Sequence, residues 1–201
     1  MGEGIVESTL VFMEIGSFLE LDIQKTGEYF AENEDVARLN SARAGIYHAL
    51  KIMKLDLIYI PYYQCPTVNE FLSHKGINIK KYFLNKAFEP QITDQEPKSA
   101  VLIVNYFGIF SNAYIQNLRA RFERVIIDNG PAFYNPPIDD CYNVYSARKF
   151  FGVPDGCYVV GPGANSMTNN YLQDYSSSTA LFLLKRHEIG CSGSYFERMK
   201  N

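Results

Sequence analysis

The run Ala100-Val101-Leu102-Ile103-Val104-Asn105 constrains this chain more than any other stretch. Five consecutive apolar residues, rich in β-branched types, leave no polar face, so a strand made of them must be covered on both sides. A half-solvated antiparallel strand would alternate instead. Leu57-Ile58-Tyr59-Ile60, ended by Pro61, and Val125-Ile126-Ile127-Asp128 have the same character. Helical patterns separate these runs. One starts at Asn40 or Ser41 and continues to Met53, a second spans Thr67 to His74 with Gly76 behind it, and a third spans Asn112 to Phe122 with Ile115, Leu118 and Phe122 on one face. Ile77 to Phe83 alternates as a strand does, and Val144-Tyr145 and Cys157 to Val160 supply two more. Strand and helix patterns thus alternate through residues 39–130. That predicts an α/β class: a mostly parallel sheet flanked by helices.

The organisation expected from these patterns has three parts. Residues 1–37 form an N-terminal arm, in which 1–12 read as a leader, Met13 as an alternative start and Gly16 to Tyr29 as a lid or arm. Residues 38–161 form the sheet-building core, interrupted by a polar, proline-containing connection over 85–99. Residues 162–201 begin as a loop rich in Gly, Asn and Ser and continue as a helix over Ser178 to Glu188.

Composition removes several function classes. At 47% hydrophobic and 20% charged residues, the chain of 201 residues is globular rather than disordered. A net charge of −3 argues against a general nucleic-acid binder, which carries a basic surplus. No apolar run reaches the roughly 18 residues of a membrane span, and no basic segment precedes an apolar core at the N-terminus. Cys65, Cys141, Cys157 and Cys191 stand far apart, with only His48, His74 and His187 to join them. No zinc site is expected, and reduced thiols in a cytoplasmic protein are.

Ligands of parallel sheets bind at the carboxyl ends of the strands, and four features fall there or at helix starts. Asp128 closes a buried strand, where a carboxylate needs a partner such as a protonated ring nitrogen. Taken alone it reads more readily as a turn former, because Asn129-Gly130-Pro131 follows. Asn40-Ser41-Ala42-Arg43 opens a helix, which is an anion site suited to phosphate or an ordinary cap. Pro61-Tyr62-Tyr63-Gln64-Cys65-Pro66 could lay an aromatic face over a flat ligand or simply pack. Lys149 lies in Ser146-Ala147-Arg148-Lys149-Phe150-Phe151-Gly152, with Tyr145 upstream. Apolar surroundings would make its amine a usable nucleophile toward a carbonyl; a snorkelling lysine is the alternative. An anion site, a strand-end acid and an apolar lysine, in that order, meet the needs of pyridoxal phosphate, whose phosphate wants donors, whose ring nitrogen wants an acid and whose aldehyde wants an amine.

Over roughly residues 38–160 the chain resembles the large domain of fold-type I pyridoxal-phosphate enzymes, and within them the DegT/DnrJ/StrS-type sugar aminotransferases. The resemblance rests on Leu39-Asn40-Ser41-Ala42-Arg43-Ala44-Gly45, Ile58-Tyr59-Ile60-Pro61-Tyr62-Tyr63, Val104-Asn105-Tyr106-Phe107-Gly108, Val125-Ile126-Ile127-Asp128-Asn129 and Ser146 to Gly152. It implies a homodimer with active sites near the interface. It also implies pyridoxal 5'-phosphate as cofactor, and a keto sugar and an amino-acid donor as substrates. Lys149 would bond to the cofactor aldehyde and later move the donor's α-proton. Asp128 would hold the ring nitrogen protonated. Ala42 and Arg43 would give backbone amides to the phosphate, and Ser146 a hydroxyl. Where the family stacks an aromatic on the ring, Cys65 stands here, with Tyr63 as a substitute. Pro131 replaces a Gln or His that contacts the ring oxygen, and Ser146 stands three residues before the lysine rather than five. The family's C-terminal small domain is expected to be missing from this chain. Two other readings follow from these departures. One is a non-catalytic domain of the same fold that acts in dimerisation or partner binding. The other, a nucleotide-binding α/β domain, requires Lys149 to be solvent-exposed.

Overall fold

The structure is a computed structural model that describes residues 27–30, 35–173, 180–181 and 183–184. In chain order its elements are β1 (Val36–Leu39), α1 (Ala42–Met53), β2 (Leu57–Pro61), α2 (Pro66–His74), β3 (Asn78–Leu84), β4 (Pro90–Gln91), β5 (Ala100–Val104), α3 (Asn112–Arg119), β6 (Val125–Asp128), β7 (Tyr142–Ser146) and β8 (Cys157–Val160). The strands form one eight-stranded sheet in the order β1-β8-β7-β6-β5-β2-β3-β4. The five strands from β7 to β3 run parallel; β8, β1 and β4 are antiparallel additions at the two edges. The expected parallel α/β sheet is present, and β5, the run without a polar face, lies near its middle with all five residues buried.

Three details depart from the pattern reading. The strand β1 had no periodicity of its own, since four residues are too few to show one; it exists because it pairs with β8. The polar connection over 85–99 contains β4. Asn85 Oδ1 accepts from the N–H groups of Ala87 and Glu89, at 2.8 and 2.9 Å, and this turn folds the chain back onto β3. Helix α3 stops at Arg119, not Phe122. Tighter i−3 bonds, from Arg121 N–H to the Leu118 carbonyl and from Phe122 N–H to that of Arg119, then carry Phe122 into the core. The helix read over Ser178 to Glu188 and the segment from Gly16 to Tyr29 lie largely outside the described residues.

Helix α1 packs on β6, β7 and β8 and buries Ile46, Ala49 and Leu50. The approach is close enough to require glycine at position 45. A Cβ there would stand 2.7 Å from Cys157 Sγ and 2.9 Å from both Val144 Cγ1 and Val159 Cγ2. The loop after Gly161 is docked onto this helix. His48, 1% exposed, bonds the Ala164 carbonyl through Nε2 at 2.6 Å and the Tyr171 hydroxyl through Nδ1 at 2.8 Å. A second, smaller cluster gathers Phe133, Tyr145, Val36, Ala147 and Val160, with Phe30, Phe150, Phe151 and Tyr158 packed against them.

Candidate cofactor-binding site at the carboxyl ends of the strands

Asp128 ends β6 and is 7% exposed. A carboxylate so buried is tolerable only with donors, and it has two. Gly130 N–H donates to Oδ1 at 2.8 Å, and Gln64 Nε2 donates to Oδ2 at 3.0 Å. The turn behind it is pinned to β7 by Asn129 N–H, which donates to the Val144 carbonyl at 2.8 Å. Gly130 leaves a gap that any side chain would fill. A Cβ there would lie 2.7 Å from Asp128 Oδ1 and 3.5 Å from Lys149 Nζ. Acid and amine, 21 positions apart in sequence, thus border the same small space.

Lys149 closes a 3-10 turn, Ala147–Lys149, that follows β7. Its side chain is exposed, which corrects the expectation of apolar cover. Phe150 and Phe151 do not shield it because they pack on Phe133, with ring centroids 5.7 and 4.9 Å away, and Phe150 also meets Tyr134 at 5.5 Å. Tyr145 belongs to the same cluster, and its hydroxyl donates to the Asn135 carbonyl at 3.0 Å. Sequence neighbours of the lysine are therefore spent on each other, and they fix the turn rather than cover the amine.

The start of α1 faces this turn. Ser41 is the N-cap residue, but neither it nor Asn40 caps the helix through a side chain; the Ser41 hydroxyl donates to Asn40 Oδ1 at 3.1 Å. The first helical bond runs from Gly45 N–H to the Ser41 carbonyl, so the amides of Ala42, Arg43 and Ala44 have no intrahelical partner. Open amides at the positive end of a helix bind anions. One residue ties this end to the lysine turn: Gly156 donates to the Asn40 carbonyl and accepts from Ala147 N–H, both at 3.0 Å. The Arg43 guanidinium lies over the Phe71 ring, 5.8 Å from its centroid, so Arg43 offers the helix start its backbone. Ser146, 2% exposed, pairs with Cys157 across β7 and β8. Since Cys157 and Val144 both meet α1 at Gly45, the two-residue period of the strand puts Ser146 on the α1 face.

The loop after β2 supplies the remaining wall. Tyr63 is 62% exposed and stacks on Tyr106, centroid to centroid 5.3 Å, while Tyr62 stacks on Phe83 at 4.4 Å. The Tyr106 hydroxyl donates to the Tyr63 carbonyl at 2.6 Å. Burial, then the nearby Asp128 carboxylate and Tyr63, push this phenol well above its ordinary range, so it remains a donor. Cys65 is exposed, with Sγ 3.2 Å from Thr67 Oγ1. The sequence reading passed over Gln64 and Tyr106. Both lay inside quoted motifs, but nothing in residue type or spacing marks a glutamine as the partner of an aspartate 64 positions later.

Lys149, Asp128, Ala42, Arg43 and Ser146 thus meet around one end of the sheet, with Tyr63 and Cys65 on the adjoining loop. The set fits pyridoxal phosphate: open helix amides and a serine on the same face for the phosphate, a buried acid for the ring nitrogen, and an accessible amine over Gly130 for the aldehyde. A depression lined by Asp56, Leu57, Asn78, Lys80 and Glu96 lies instead at the amino ends of β2 and β3 and holds the Lys80–Glu96 ion pair. Among the described residues no group of three or more His, Cys, Asp or Glu could hold a metal ion, and no helix is long and apolar enough to cross a membrane. Cys65, Cys141 and Cys157 are free thiols.

Solved structures share this fold. DesV from S. venezuelae superposes with a TM-score of 0.55 at 17% identity, over 78% of this chain and 52% of that one. The sugar aminotransferase CalS13 from Micromonospora echinospora gives 0.50 at 18% identity, over 69% and 44%. A candidate sugar aminotransferase from Streptococcus pneumoniae, in its PLP form, gives 0.53 at 16% identity, over 70% and 46%. The chain spans about half the length of these proteins. No protein-family model matches the sequence, and no curated protein is significantly similar to it. Over the matched part, the chain shares the fold of these proteins.

Proposed function

We propose that this chain is the cofactor-binding part of a pyridoxal-phosphate-dependent aminotransferase whose acceptor is a keto sugar linked to a nucleotide and whose donor is an amino acid. The single observation that carries this reading is that the Asp128 carboxylate and the Lys149 amine both border the gap over Gly130. When bound, pyridoxal phosphate supplies an electrophilic aldehyde carbon and an electron-accepting ring. Asp128 would hold the proton of the ring nitrogen. The amides of Ala42 and Arg43 and the hydroxyl of Ser146 would hold the phosphate. Lys149 would supply the amine at the aldehyde end and, when free, the general base for the α-proton of the donor. Tyr63, stacked on Tyr106, offers the flat face that Cys65 does not. The sugar acceptor is supported by the structural likeness to sugar aminotransferases; the proposal further takes the protein to be a cytoplasmic homodimer acting in polysaccharide synthesis.

Exposure of Lys149 leaves a nucleotide-binding α/β domain open as a reading, but such a domain has no use for an amine and an acid over one gap. A non-catalytic domain of the same fold is favoured by a different observation. Tyr62, Phe83, Phe107 and Ile109 are all more than half exposed, a surface fit for a partner. Purified protein is to be incubated with pyridoxal phosphate and reduced with borohydride. A mass increase on Lys149, absent from Lys149→Ala, is expected; its absence from folded wild type would sink the cofactor reading. Amino transfer from glutamate to nucleotide-linked keto sugars would then establish the enzyme, whereas trapping without turnover would support the non-catalytic domain.

A further inference from the structure

Asp128 must do more than be present: its carboxylate has to keep one orientation while it faces a ring nitrogen. One donor to it, Gly130 N–H, belongs to its own turn. The other comes from two strands away in the sheet, since β5 lies between β6 and β2. We infer that Gln64 is the positioning residue that holds Asp128 toward the ring nitrogen of the cofactor.

The geometry of the loop leaves Gln64 little choice. Tyr62 N–H donates to the Tyr82 carbonyl at 2.9 Å and the Tyr106 hydroxyl to the Tyr63 carbonyl at 2.6 Å, so the backbone on its amino side is held at two points. Cys65 N–H donates to Gln64 Oε1 at 2.8 Å. That bond settles which end of the amide is oxygen, and the NH2 group is left to point at Asp128 Oδ2, 3.0 Å away. Each carboxylate oxygen then has one donor and one free lone pair. The side chain adds no charge of its own beside the carboxylate. A glutamine that is itself oriented by a backbone amide, and that spans two strands to reach a buried carboxylate, has a task there that packing does not require.

The inference rests on the cofactor reading above, and its test separates the two. Dissociation constants are measured for pyridoxal phosphate and for its 1-deaza analogue, which has carbon in place of the ring nitrogen, with wild type, Gln64→Leu and Gln64→Glu. Circular dichroism confirms folding of each. Gln64→Leu is expected to weaken pyridoxal phosphate roughly tenfold, the scale of one bond to a charged group, and to leave the analogue's affinity unchanged. Gln64→Glu places two carboxylates in contact, which must share a proton. Its deficit relative to wild type should therefore shrink as the pH falls and the shared proton restores a donor, while that of Gln64→Leu should not. Equal losses for both ligands, or no loss, would overturn the positioning role and leave the cofactor reading intact. Failure of wild type to bind pyridoxal phosphate at all would overturn both.

Discussion

The main core cluster, which reaches beneath α1, and the smaller aromatic cluster around Phe133 meet along β7 and β8. Val144 and Val159 belong to the first, Tyr145 and Val160 to the second. The two-residue period of the strands sends alternate side chains to opposite faces, and the two faces fix different halves of the candidate site. On one, the contact of Gly45 with Cys157, Val144 and Val159 sets where the open amides of α1 stand. On the other, Phe150 and Phe151 clamp the turn that carries Lys149 onto Phe133. The phosphate end thus depends on a helix pressed against a sheet, and the amine end on a loop anchored by rings. Damage to one face should leave the other half of the site in place.

The largest expected effect is on the aromatic face. Phe133 is fully buried and touches Phe30, Tyr145, Phe150, Phe151 and Tyr158. Phe133→Ala should cost about 3–5 kcal/mol, read by urea denaturation, and should abolish the near-ultraviolet dichroism of the packed rings. Borohydride trapping at Lys149 should fall with it. A loss below about 1 kcal/mol would mean that the cluster does not hold the turn.

The matching break on the aliphatic face is Gly45→Ala. Three buried side chains stand within 2.9 Å of the new Cβ, and overpacking of this kind costs roughly 1–3 kcal/mol. Phosphate affinity should drop while the Lys149 turn keeps its ring dichroism. Cys157→Ala in the same protein removes one of the three clashes and should recover part of the stability, so a double-mutant cycle should give a favourable coupling.

These two faces also account for what the sequence could reveal. The parallel sheet was legible because Ala100 to Val104 and Val125 to Ile127 carry their burial in their composition. The placement of Asp128 at a strand end and of Ala42 at a helix start was legible from the same strand and helix patterns. The environment of Lys149 was misread because adjacency in sequence was taken for contact. Phe150 and Phe151 flank the lysine in the chain, but their partner, Phe133, is some 17 residues upstream and carries no local signal. Gln64 was missed for a related reason: its partner Asp128 is brought to it only by the strand order β6-β5-β2.

Alkali should separate the clusters more gently. Burial pushes the Cys141 thiol up to about 12, and Cys157 is raised for the same first cause. Both lie in the main core cluster. Above pH 9 the unfolded chain loses these protons while the folded chain keeps them, so fewer protons are bound when unfolded and stability falls as pH rises. The loss should be about 1 kcal/mol per thiol between pH 9 and 10. It begins before Tyr145 of the aromatic cluster, whose raised phenol matters only above its ordinary value of 10.0. Denaturation midpoints across this window should decline in wild type and flatten in Cys141→Ala/Cys157→Ala.

The smallest effect on stability is expected at Lys149, to which the proposed function assigns the chemistry. Lys149 is exposed, and the rings beside it in sequence pack on Phe133 rather than on its stem. Truncating it leaves both clusters as they were, so Lys149→Ala should change unfolding free energy by less than about 0.5 kcal/mol, as exposed substitutions do. The same variant should lose all covalent trapping of pyridoxal phosphate. A destabilisation above about 2 kcal/mol would say instead that the stem of Lys149 is part of the aromatic cluster. In that case the turn would be built around the lysine, and the separation between anchoring rings and accessible amine would not hold.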